Sequence, residues 1–83
     1  MVEFMVSINP IDPENGKGIV QIWNLDEYEN PKKVILEKEF SINVNSEFES
    51  IIIEGEIWFK KNKEVLIKEL KEKGYKEINF RLM

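Results

Sequence analysis

Glutamates recur two residues apart in this sequence, as Glu37/Glu39, Glu47/Glu49 and Glu54/Glu56. Side chains two apart on a β-strand point to the same side, so each pair predicts negative charge on one sheet face. Paired carboxylates can act as general acid and base, bind a divalent metal, or present a negatively charged surface to a basic partner. The same residues are therefore open to catalytic, metal-binding and protein-binding interpretations.

The composition weighs against the first two interpretations. The sequence has no Cys and no His, so it lacks the usual nucleophilic thiol, the commonest general base and the commonest metal ligands. The segment 12–16 resembles a calcium loop only loosely, because it lacks the alternating ligand spacing and the distal Glu of an EF-hand. We expect a protein that is not an enzyme and that has no metal and no cofactor. An enzyme or a metal-binding protein that uses these carboxylates ranks below the two binding functions described next.

The polar loop that begins at Asp26 carries further carboxylates around Tyr28. The predicted partner-binding residues come from this loop and from the first two glutamate pairs. They are Asp26, Glu27, Tyr28, Glu29, Glu37, Glu39, Glu47 and Glu49. Rows of carboxylates resemble the phosphates of nucleic acid and would fit a basic groove on a protein that handles nucleic acid. The alternative is an ordinary solvated sheet face, whose charges protect edge strands from aggregation. Trp23 and Trp58 are predicted to belong to the core.

Charge is divided unequally along the chain. Residues 1–59 carry a net charge of −8 and residues 60–83 a net charge of +4. The lysines of segment 60–73 suggest an alternative function, a nucleic-acid-binding regulator or antitoxin-like protein that contacts phosphate. Interleaved glutamates and a single arginine disfavour direct nucleic-acid binding, and they favour a helix surface laced with ion pairs.

Hydrophobic periodicity predicts an α+β fold in one domain, residues 1–83. Alternation at residues 2–8 and a return over 19–25 predict a hairpin, with Asn15-Gly16 in its turn and Asn9-Pro10 ending the first strand. A third strand is expected from Val34 to Val44 and a fourth over 48–59. The register of these two strands is open, and a three-residue turn over 45–47 would place Lys38 opposite Glu54.

A helix is expected after the fourth strand. Asn62 is the predicted N-cap and Gly74 the C-terminal stop, and a last strand follows over 75–83. The predicted order is β-β-β-β-α-β: a mainly antiparallel sheet of about five strands, with one helix in the C-terminal half packed on one face.

One helix covers about one face of such a sheet, yet the predicted strands carry apolar residues on both faces. A homodimer through an apolar sheet face, or a docked partner, would cover the remainder. No apolar run approaches the roughly 20 residues of a membrane span, and the N-terminus lacks the pattern of a signal peptide. We expect a cytoplasmic protein that does not contact membranes.

Together these features suggest a non-catalytic protein-binding module. The expected function is that of a small acidic inhibitor, encoded by a virus or mobile element, that engages a nuclease, a CRISPR complex or another nucleic-acid-binding protein. Small size, an acidic surface and a composition typical of AT-rich coding sequence support this expectation by association.

Overall fold

The computed structural model describes residues 2–42 and 48–83. Its elements are β1 (Val2–Asp12), β2 (Lys17–Leu25), β3 (Pro31–Ser41), α1 (Phe48–Glu72) and β4 (Ile78–Leu82), with a 3-10 turn over Pro13–Asn15. The predicted α+β class is confirmed, with the order β-β-β-α-β and four strands instead of five.

The four strands form one mostly antiparallel sheet in the order β3-β2-β1-β4. β2 pairs antiparallel with both β1 and β3, whereas β4 pairs parallel with β1. α1 connects β3 at one edge to β4 at the other and packs on one face of the sheet. The opposite face, which we call the open face, is not covered by any element among the described residues.

The predicted first hairpin is confirmed, and Gly16 closes its turn. Gly16 has a φ of 66° and donates its N–H to Pro13 O at 3.2 Å, a backbone conformation that glycine adopts without steric cost. The prediction that Asn9-Pro10 ends β1 is wrong. The strand continues to Asp12, with a register shift between Pro10 and Asp12 that accommodates the extra residue.

The predicted strand over 48–59 is wrong, because this segment is the first half of α1. Ile51, Gly55 and Phe59 lie four residues apart and are all buried, which is the spacing of one helix face. The β-branched run Ile51-Ile52-Ile53 favours a strand by propensity alone, but burial of this face against the sheet outweighs that propensity. Val44 lies outside the described residues, and β3 ends at Ser41.

The predicted N-cap at Asn62 is also wrong, whereas the stop at Gly74 is confirmed. Asn62 lies inside α1, and its side-chain Nδ2 donates to Trp58 O one turn earlier at 2.8 Å. Gly74, with a φ of 100°, donates to Lys71 O, and Tyr75 donates to Leu70 O. These two bonds form a Schellman motif, which satisfies carbonyl groups at the helix end.

The core lies between α1 and the sheet, where the helix approaches two strands very closely. Phe4, Val6, Val20 and Ile22 are at most 1% exposed. A Cβ added at Gly55 would overlap the Ile8 Cγ2 methyl group and the Phe40 ring. The absence of a side chain at Gly55 therefore sets how closely the helix lies on the sheet.

The predicted cross-strand pair between Lys38 and Glu54 does not form, because Glu54 lies on α1 and not on a strand. Lys38 Nζ instead contacts Glu69 Oε1 at 2.8 Å. Both side chains are about one-third exposed, so this ion pair joins β3 to the C-terminal half of α1 at the margin of the core.

Candidate functional site

The loop between β2 and β3 is a tight turn organised by Asp26. Its Oδ1 accepts the backbone N–H groups of Tyr28 and Asn30, each at 2.9 Å. Its own N–H donates to Asn30 O at 2.9 Å, and its carbonyl accepts the Glu29 N–H at 3.0 Å. Asp26 was predicted as a contact residue, and its Oδ1 also fixes the backbone of the turn.

The same turn presents Tyr28 to solvent between two glutamates. Tyr28 is 76% exposed, and Glu27 and Glu29 are exposed beside it. Glu29 has a φ of 64°, a left-handed conformation held by the hydrogen bonds of the turn. We call Asp26–Asn30 the acidic tip: an aromatic side chain and two exposed carboxylates on a fixed backbone.

Glu37 and Glu39 lie on the open face of β3, opposite Gln21 and Ile19 of β2. Glu37 Oε1 accepts a hydrogen bond from Gln21 Nε2 at 2.9 Å, and Glu39 is exposed. These two glutamates therefore share one face, as the sequence predicted.

Among the described residues, the acidic tip and the glutamates of β3 do not form one continuous surface. Glu37 lies six positions after Pro31, the residue that follows the acidic tip, and six positions span roughly 20 Å along a strand. Lys32 and Lys33 lie between the two groups. Glu47 lies outside the described residues, and Glu49 belongs to the first turn of α1 and not to a strand. Glu54 and Glu56 are likewise helical, so in the part of the chain that the structure describes the predicted rows reduce to the acidic tip and the β3 pair.

The open face is fixed by hydrogen bonds that cross the strands. Trp23 Nε1 donates to Ser7 Oγ at 2.9 Å, and Ser7 Oγ contacts Gln21 Oε1 at 3.4 Å. With the bond from Gln21 to Glu37, this chain of contacts joins β1, β2 and β3. Trp23 was predicted to belong to the core, but it alternates with buried Ile22 and lies half-buried on the open face.

The β4 side of the open face carries the one arginine of the sequence. Arg81 Nη1 lies 3.3 Å from Glu3 Oε1, and Arg81 Nε donates to Met5 Sδ at 3.3 Å. Met5 is opposite Trp23 in the register. The open face thus has an apolar centre, with an arginine–glutamate pair on one side and the carboxylates of β3 on the other.

A cleft of about 360 Å³ lies where β4 ends beside β1. β4 pairs with Val2–Val6, whereas β1 continues to Asp12. We call this cleft the edge slot. Its walls include Ser7, Asn9, Trp23, Ile52, Glu56 and Met83. Sequence reasoning missed it, because the slot depends on the unequal lengths of two strands that are distant in the sequence.

The lysines of segment 60–73 are exposed. Lys60, Lys61, Lys68 and Lys71 lie on the outer side of α1, with Glu64 and Glu72 among them. Ile53 and Ile57, which are 57% and 41% exposed, continue the same side toward the helix N-terminus. This surface is weakly basic and mixed in character.

Among the described residues, no three carboxylates are grouped so that they could hold a metal ion. Within that same part of the chain, no helix is both long and apolar enough to cross a membrane. Comparisons of the chain with protein family models, with curated proteins and with solved structures found no match.

Proposed function

We propose that this protein is a non-catalytic protein-binding module whose acidic tip engages a basic surface on its partner. The observation that carries the proposal is the presentation of Tyr28, 76% exposed between Glu27 and Glu29 on a turn fixed by Asp26. Tyrosine is enriched among the residues that dominate binding energy at interfaces. A backbone that is already ordered loses less conformational entropy on binding, which favours affinity.

The charge of the acidic tip favours a partner with a basic groove. Glu27 and Glu29 would speed encounter with such a surface and disfavour acidic partners. Basic grooves are typical of proteins that handle nucleic acid, so the proposed activity is inhibition of such a protein by occupying its groove. Glu37 and Glu39 form a second contact group on the same hairpin. If the partner is of this kind, we expect the protein to act in the cytoplasm of the producing or infected cell.

The test is partner capture from host lysate with and without nuclease, followed by measured affinities for the captured protein. The variant is Glu27→Lys/Tyr28→Ala/Glu29→Lys. Its matched control is Glu14→Lys/Glu72→Lys, which reverses the same number of exposed carboxylates elsewhere. We expect a partner that survives nuclease and an affinity loss of at least about 30-fold in the tip variant, as for an interface hot spot. Equal losses of affinity in both variants would show that net charge alone causes the effect, and would refute the assignment of the binding site to the acidic tip.

The open face is the second surface that we assign to partner contact, and a homodimer burying two such faces would cover Met5 and Trp23. Light scattering at high micromolar concentration decides this point. A mass near twice 9.9 kDa supports the homodimer, and a mass near the monomer value leaves the open face to another partner.

The alternative function is nucleic-acid binding by the lysines of α1. Their uniform exposure supports it, whereas Glu64 and Glu72 on the same side weaken it. Binding of DNA or RNA that falls steeply with salt, and that is lost in Lys60→Glu/Lys68→Glu, would favour this alternative over the acidic tip.

A further inference from the structure

The edge of β1 that faces β4 is only partly used. Val2 N–H donates to Glu77 O at 3.0 Å, and Val6 O accepts the Met83 N–H at 2.9 Å. Hydrogen-bonding groups of alternate residues face the same strand edge, so the N–H and C=O of Ile8 and the C=O of Pro10 face this edge too. The register with β4 ends at Val6–Leu82. In the part of the chain that the structure describes, no strand pairs with β1 on that side beyond this point.

The edge slot lies directly beside these free backbone groups. On the helix side its wall includes Ile52 and Glu56, and on the open-face side it includes Asn9 and Trp23. Met83, which follows β4, closes one end. The slot therefore occupies the position that a short strand would take if it continued the line of β4.

Glu56 gives the slot a charge preference. Its side chain is half-buried in the slot wall and forms no ion pair or side-chain hydrogen bond within residues 2–42 and 48–83. A strand in the slot would direct alternate side chains to the Glu56 wall and to the Trp23 wall. A basic residue would pair with the first wall, and an apolar residue would pack on the second.

We propose that the edge slot binds a short extended segment of a partner protein, in which basic and apolar residues alternate, as an added strand on the edge of β1. Main-chain hydrogen bonds to Ile8 would supply affinity and the two walls would supply specificity, as in other complexes that add a strand to a sheet edge. Pro10 has no N–H, which limits the added strand to a few residues and prevents open-ended pairing of edges. This inference rests on the proposed function as a protein-binding module, and it adds a site with its own partner chemistry to the acidic tip and the open face.

The test uses the ¹⁵N-labelled protein and two synthetic peptides with blocked ends. The probe is Val-Lys-Val-Lys-Val, and the control peptide is Val-Glu-Val-Glu-Val. We expect the lysine peptide to cause saturable chemical-shift changes centred on Ile8 and Trp23 and to slow hydrogen exchange of the Ile8 amide. No saturable change at millimolar peptide, equal binding of the glutamate peptide, or changes centred on β3 would each overturn the proposal.

Two glutamates of α1 provide matched variants, because they lie two residues apart and face different sides of the helix. Glu56 lines the edge slot, whereas Glu54 lines a separate groove with Phe40 and Lys61. We expect Glu56→Lys to weaken binding of the lysine peptide at least tenfold, as for loss of a charged hydrogen bond, and Glu54→Lys to change it less than twofold. Equal effects of the two variants would refute the assignment. Glu56→Gln, which keeps the side-chain shape, replaces Glu56→Lys if the latter does not fold.

The same titration separates this inference from the proposed function. Glu27→Lys/Tyr28→Ala/Glu29→Lys is expected to bind the lysine peptide as the wild type does, because the acidic tip contributes no residue to the slot. If the tip variant still binds its captured partner normally while the peptide results hold, the acidic-tip site fails and the edge slot stands. If the lysine peptide does not bind as expected while the tip variant loses its captured partner, the edge-slot proposal fails and the acidic-tip site stands.

Discussion

Gly55 is the point at which the packing of α1 on the sheet can be tested most directly. In an exposed helix, Gly→Ala stabilises by about 1 kcal/mol because alanine loses less backbone entropy on folding. At Gly55 the added methyl group would overlap Ile8 Cγ2 and the Phe40 ring. Overpacking a core in this way typically costs about 1–3 kcal/mol. The two effects oppose each other, so the sign of the change tests the structure.

The overlap with Ile8 decides the balance. Its Cγ2 is attached directly to Cβ on a strand, and a β-branched side chain has few alternative rotamers. The methyl group therefore moves away only if the backbone of β1 or α1 shifts. We expect Gly55→Ala to lower the free energy of unfolding by about 1 kcal/mol net of the gain in helix propensity.

The assay is thermal and urea denaturation followed by far-UV circular dichroism. A loss of about 1 kcal/mol corresponds to a fall in Tm of roughly 4–8 °C for a domain of this size. Ser50→Ala, at an exposed position of the same helix, is the matched control and should leave Tm unchanged or slightly higher. In the Ile8→Ala background, Gly55→Ala should cost less than it does alone, since the clashing methyl group is gone. A rise in Tm for Gly55→Ala in the wild-type background would refute the close approach of α1 to β1.

Three further predictions concern local conformation and the open face. Gly74→Ala should lower stability by about 1 kcal/mol in urea denaturation, because the φ of 100° in the Schellman motif is strained for alanine; no loss would mean that the helix ends differently. Glu29→Gly should raise the free energy of unfolding in urea by up to about 1 kcal/mol, because glycine adopts the φ of 64° without the strain that a side chain causes. Glu27→Gly in the same turn should not raise it. Trp23→Phe should cost about 1 kcal/mol, since Ser7 Oγ loses the donor at 2.9 Å, and an unchanged urea midpoint would show that solvent replaces this bond.

The local signals of the sequence account for the first hairpin and the last strand. Alternation in β1 and β4 placed most of their inward residues correctly, although Val2 and Leu82 are exposed. Asn15-Gly16 marked a turn whose glycine does take a positive φ. These features depend on neighbouring residues alone, since side-chain alternation and turn geometry are local properties of the backbone. The stop at Gly74 is predictable for the same reason.

The segment 48–59 could not be assigned from local signals, because two periods fit it. The run Ile51–Ile53 has high β propensity, whereas Ile51, Gly55 and Phe59 share a helix face. Propensity differences amount to fractions of a kcal/mol per residue, and burial of one large apolar side chain contributes about 1.5–3 kcal/mol. The fit of that face onto Ile8 and Phe40 therefore decided the structure, and this fit exists only in three dimensions.

The sequence alone determined the chemical inventory: no Cys, no His, an acidic N-terminal part, a lysine-rich C-terminal part, and a loop in which Tyr28 stands among carboxylates. Only the tertiary structure decided how these groups are arranged. It placed Glu49 and Glu54 on a helix instead of a strand, so these glutamates do not extend the β3 pair along the sheet. It also placed Glu56 beside the unpaired edge of β1. Composition is a property of the chain, whereas the proximity of side chains distant in sequence arises only when the helix and the strands pack together.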